Sequence, residues 1–185
     1  GVQTCALPIS QNTSKKYGAD SVACVTNLSL YTEFYKQKNY KDALPHWRYV
    51  YNNCPLASQN TFIAGAKIIS YKITEAKDEK TRNAYIDTLM MVYESRIKYF
   101  GTHPKSAEGM VRGRQAMDLI SFRPDSVKAY ELLRKSVEME GLNSDPVIVS
   151  NYYTFVDNFV TAKRFDVDSI AIAYDALSEL VDEKL

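Results

Sequence analysis

The sequence predicts an all-α protein assembled from pairs of helices, and three observations carry that expectation. Glycine and proline are scarce, 7 and 6 of 185 residues, whereas tyrosine and phenylalanine number 14 and 7, the profile of long helices packed through aromatic side chains. Apolar residues recur at helical spacing in one segment after another, most plainly at Ala43, Trp47 and Val50. Residues of similar function then return about 34 positions on, so that Asn27, Leu30, Tyr31 and Phe34 are answered by Thr61, Ala64, Gly65 and Ile68.

Taken in order, the first helix is expected from about Asp20 to Gln37, with Asp20 or Ser21 as N-cap and Lys38-Asn39 as the turn. It carries two stripes, one of Asn27, Leu30, Tyr31 and Phe34 and one of Val25, Leu28, Thr32 and Tyr35, more apolar surface than a single partner helix would cover. The second helix, Tyr40 to Asn53, is expected to bury Ala43, Trp47, Val50 and Tyr51 before Pro55 stops it. Pro45 inside it removes a hydrogen bond at a cost of about 3 kcal/mol, which implies a late start near Asp42 or a bend. A third helix should span Ser58 to about Thr74. The fourth, Thr81 to Phe100, would turn Tyr85, Thr88, Val92 and Ser95 inward and end at Gly101. Lys105 to Phe122 and an Asp125-capped helix from Ser126 to Glu140 follow, the latter with Ala129, Leu133 and Val137 inside and Gly141 at its end. Asp145-Pro146 then opens a helix to about Thr161, and a last one should run from Asp168 to Leu185.

Asn27, Leu30, Tyr31, Phe34, Ala43, Trp47 and Pro55 match the spacing of the tetratricopeptide repeat, and the chain resembles that family. Asn27 stands where the family favours tryptophan and Tyr31 where it favours glycine, and the glycine appears in register one unit later as Gly65. The resemblance implies an α-solenoid of about four antiparallel helix pairs in a right-handed superhelix over residues 20–185. From Tyr17 to Tyr93 the wording is similar to exported tetratricopeptide-repeat proteins of Bacteroides-type bacteria, which implies a periplasmic or envelope location, with the cytoplasm as the alternative.

Residues 1–19 stand apart. Gly1 to Ile9 resembles the translation of a sequencing adapter, which removes Cys5 from the argument, and a polar lead-in follows. On that reading an export signal has been lost. The final helix has no polar capping helix after it, so the repeat array reads as truncated at Leu185.

The balance of 23 basic and 22 acidic residues gives no general attraction to nucleic acid, and no apolar run approaches the roughly 20 residues of a membrane span. Catalytic groups are sparse. His46 and His103 are the two histidines, and a zinc site of Cys24, His46 and Cys54 would have to be assembled across the first helix pair. A rim position beside Trp47 is the simpler account of His46. Gly109-Met-Val-Arg-Gly-Arg114 has glycines and arginines but no preceding strand, so it is not a phosphate cradle. Met90 and Met91 are expected to pack, and the Asn27-Leu28-Ser29 glycosylation triplet is discounted because Asn27 falls on a buried stripe. No catalytic residue, cofactor or metal is therefore assigned.

The expectation is a non-catalytic scaffold that binds a protein or peptide, with a structural accessory domain of an envelope assembly or nutrient-uptake complex, or an enzyme with an unrecognised site, as alternatives. Because groove residues in the family come from the first helix of each pair, the resemblance implies Leu28, Thr32, Tyr35, Phe62, Ala66 and Ile69 as the lining. Packing between repeats is their other possible role. Cys24 and Cys54 lie equally far on either side of Asn39, so in an antiparallel pair they return to one height and can bridge. Two small buried residues in a reducing compartment are the alternative.

Overall fold

The computed structural model describes residues 16–124 and 127–162 together with the single positions 168, 171, 175 and 178. Among these residues the protein is all-helical: α1 (Ser21–Lys36), α2 (Tyr40–Asn53), α3 (Asn60–Glu75), α4 (Glu79–Phe100), α5 (Glu108–Phe122), α6 (Val127–Glu140) and α7 (Pro146–Thr161), with 3-10 turns at Pro104–Ser106 and Gly141–Asn143. The expected cap at Asp125, most of the last helix and the adapter-like start lie outside the described residues. The chain falls into two compact units, Gly1–Tyr85 and Ile86–Leu185.

In the first unit, α1 begins on Asp20, whose carboxylate accepts the Ala23 N–H at 2.9 Å. It ends in a Schellman turn, with Lys38 N–H donating to Tyr35 C=O at 2.9 Å and Asn39 N–H to Phe34 C=O at 2.8 Å. That turn places Lys38 at φ 58°, a left-handed conformation usually given to glycine. Asn39 then caps α2 through Asp42. Pro45 sits inside α2, which nevertheless starts at Tyr40. The Lys41 carbonyl that Pro45 leaves without an amide belongs to an exposed residue.

Cys24 and Tyr31 are the enclosed residues of α1, whereas Leu30 is 38 % exposed, which corrects its expected place on the inner stripe. Cys24 is joined to Cys54 by a disulfide with the α-carbons 6.3 Å apart. The bridge ties the start of α1 to the residue after α2, and Tyr35 meets Tyr40 at the other end, ring centres 5.8 Å apart. Closing a loop of 30 residues contributes about 3–4 kcal/mol on the chain-entropy account.

Trp47 organises the rest of this unit. Its indole N–H donates to the Thr61 carbonyl at 2.7 Å, and its ring lies against Gly65. Thr61, Ala64, Gly65 and Ile68, the positions expected from the 34-residue offset, are all buried. Thr61 also meets the Tyr31 hydroxyl at 3.2 Å.

In the second unit α4 buries Ile86, Leu89, Met90, Val92, Tyr93 and Arg96. The inner face is thus rotated from the one expected, leaving Tyr85, Thr88 and Ser95 half-buried, and Met91, expected to pack, is 62 % exposed. Gly101 ends α4 without adopting a left-handed backbone, while Gly141 at the end of α6 does so at φ 51°. Ala129, Leu133 and Val137 of α6 are buried as expected.

A Cβ added at Gly65 would stand 2.6 Å from the indole, which its hydrogen bond to Thr61 holds in place. Gly65→Ala should therefore destabilise the fold by about 1–2 kcal/mol, overpacking outweighing the better helix propensity of alanine. Urea unfolding followed by the fluorescence of Trp47 checks this, and an unchanged or raised midpoint contradicts the packing described.

Candidate functional site

The groove positions implied by the family resemblance divide. Leu28, Thr32 and Tyr35 are half-buried on α1. Phe62, Ala66 and Ile69 are 1 %, 9 % and 0 % exposed, so they are core residues of α3 and cannot line an open surface. The physical reason is the Trp47 lock: with the indole on Gly65, Phe62 is drawn against Tyr51, ring centres 5.9 Å apart, and the stripe faces protein.

His46 does not form the zinc site weighed from sequence. Its Nδ1 pairs with Asn27 Oδ1 at 2.8 Å, its ring stacks on Phe34 at 5.9 Å, and both cysteines are consumed by their bridge. Asn27, half-buried, also donates to Ala23 C=O, so the glycosylation triplet is occupied by packing. Among the described residues no group of three or more His, Cys, Asp or Glu could hold a metal ion.

A different site opens within the second unit, a cleft of about 740 Å³ reached by α4, α5, α6 and the start of α7. It exists because α5 and α6 approach closely. Ser136 donates to the Gly109 carbonyl at 2.8 Å, and a Cβ at Gly113 would come within 2.7 Å of the Ser136 hydroxyl oxygen. At Gly109 a Cβ would collide with the Glu140 carboxylate. The pair Gly109 and Gly113, dismissed from sequence as a phosphate cradle, is therefore a packing face that brings Glu140 over the first turn of α5.

There Glu140 accepts the Met110 N–H at 3.0 Å, capping a helix whose own N-cap residue, Ala107, has no side chain to do so. Asp145 does the same for α7, accepting the Val147 N–H at 2.9 Å. Asp118 accepts the Tyr93 hydroxyl at 2.6 Å. Arg114 is exposed and, among the described residues, makes no ion pair, whereas Arg112 holds Glu108 at 2.7 Å and Glu94 at 3.2 Å, and Arg134 holds Glu138 at 2.8 Å. Met110, Met117, Val147 and Ile148 supply apolar wall. Just outside, Arg96 is 5 % exposed and donates to the Lys105 carbonyl at 2.7 Å, fixing the 3-10 turn. Burial, with Arg114 nearby, draws the Arg96 pKa below the usual guanidinium range. Sequence reasoning had no signal for this cleft beyond the spacing of Gly109 and Gly113, since its polar groups come from four separated segments.

Burial, and then the neighbouring Asp118 carboxylate, push the Tyr93 pKa above the ordinary value of 10.0. The folded state holds the phenolic proton more tightly than the unfolded chain does. Its contribution is complete below the ordinary tyrosine pKa and is lost as pH climbs towards the raised folded value. Tyr93→Phe should cost about 1–2 kcal/mol at neutral pH by removing a buried hydrogen bond to Asp118, and should flatten the fall in stability above about pH 10. Denaturant titrations at several alkaline pH values check this, and equal slopes in both proteins count against the pair. No protein-family model matches the chain, and neither a curated protein nor a solved structure shows significant similarity to it.

Proposed function

We propose that the chain is a non-catalytic module that binds a protein or peptide, its helix pairs stacked as an α-solenoid of the tetratricopeptide-repeat kind. The observation that carries the reading is the cleft of the second unit. Its carboxylates are held in place, Glu140 and Asp145 by helix-end amides and Asp118 by a phenol, so the cleft offers a ligand a shaped surface of mixed apolar and charged groups. The burial of Thr61, Ala64, Gly65 and Ile68, the α3 positions 34 residues on from the α1 stripe, supports the repeat architecture. No nucleic acid and no cofactor enter the proposal. Among the described residues no helix is long and apolar enough to cross a membrane.

A photo-crosslinking residue placed at Val147, on the cleft and 56 % exposed, should give one adduct of defined mass in cells that make the chain, and the same residue at exposed Lys135 should not. Matching adducts at both positions, or none at either, would count against the reading.

The buried bridge between Cys24 and Cys54 supports an oxidising compartment such as the periplasm, where the module would serve an envelope assembly. A chain beginning at Ser10, purified unreduced from its native compartment and denatured, should show no free thiol before reduction and two after. Two thiols before reduction would place it in a reducing compartment.

A further inference from the structure

We infer that the cleft of the second unit takes a basic, partly apolar segment of a partner protein, a lysine or arginine beside an aliphatic residue. The inference rests on the peptide-binding reading above and adds the chemistry of the ligand. Four charged residues line the cleft, Arg114 against Asp118, Glu140 and Asp145, so three carboxylates face one guanidinium. Among the described residues Glu140 and Asp145 make no ion pair, while Arg112, Arg123 and Arg134 of the same unit are held by Glu94 and Glu108, Asp87, and Glu138. Each of those two carboxylates spends one oxygen on a backbone amide and keeps the other for a ligand. A ligand ammonium or guanidinium there gains charge-assisted hydrogen bonds, whereas an acidic segment would find Arg114 alone. Beside these groups, Met110, Met117 and Ile148 give an adaptable apolar wall for the adjoining aliphatic side chain.

The cap role of the two carboxylates makes a clean test possible. In Glu140→Gln with Asp145→Asn, each amide oxygen still accepts its backbone N–H, and asparagine is as good an N-cap as aspartate, so the helix ends stay closed while two negative charges disappear. Circular dichroism of the double variant should match that of the parent. Panning a random-heptapeptide display library against the 185-residue chain should enrich lysine or arginine next to leucine, isoleucine, valine or methionine. The selected peptides should bind the double variant about fivefold more weakly, the equivalent of about 1 kcal/mol, and with a shallower dependence on salt. Enrichment of aspartate or glutamate would overturn the assignment of charge while leaving peptide binding standing. Unchanged affinity in the double variant would overturn the location. No enrichment of any sequence would remove this inference and the peptide-binding reading together.

Discussion

An indole laid on a glycine sets the geometry of the first unit. Trp47 projects from α2 across the first turns of α3, gives its N–H to the Thr61 carbonyl and rests where Gly65 has no side chain. The carbonyl it uses is buried, and its own N–H would be costly to bury unpaired, so the bond and the close approach require one another. Tyr31 reaches the Thr61 hydroxyl from α1, so three helices converge on one residue of α3. Phe62, Ala66 and Ile69 fill the space around that junction, which is why a surface role was never open to them.

The second unit meets the same constraint with different chemistry. Gly109 and Gly113 stand one turn apart on α5, and what fills the room they leave is polar: the Ser136 hydroxyl and the Glu140 carboxylate. Those groups then serve backbone atoms of α5, Ser136 donating to the Gly109 carbonyl and Glu140 accepting from the Met110 amide, a first-turn donor. A larger residue at either glycine would push α6 away and leave the start of α5 uncapped. Close packing and capping are thus one arrangement, and the cleft is the space beside it.

Helix positions were legible because caps and period act locally. Asp20 and Asp145 each cap the helix expected of them and α7 begins and ends where expected, whereas Asn39, expected only as part of a turn, caps α2, which starts at Tyr40 despite Pro45. Faces were less legible. For α3 the offset from α1 identified Thr61, Ala64, Gly65 and Ile68 correctly, but α3 buries Phe62, Ala66, Ile69 and Ile73 as well, and periodicity cannot tell a helix enclosed on most sides from one with an open groove. On α4 the inner face was inferred by alignment with α2 over an enlarged connection, and it came out rotated, with Met90 and Tyr93 inside. The cleft was not legible at all. Glu140 and Met110 are brought together by tertiary packing across 30 residues, and no local rule pairs a glutamate at the end of one helix with an amide at the start of another.

Carboxylates that cap helices differ from solvated surface charges in one respect that bears on binding. An exposed glutamate such as Glu138 holds its position through a flexible side chain and one ion pair, and ordering it against a ligand costs rotamer entropy. Glu140 and Asp145 are each already held by one backbone amide, of Met110 and Val147, so less rotamer freedom remains for a ligand to remove. The helix ends gain an acceptor for otherwise unbonded donors, and the cleft gains charge that needs little further ordering. Folding therefore meets most of the ordering cost, and an incoming cation would gain its Coulomb and hydrogen-bond energy with little of that cost left to meet.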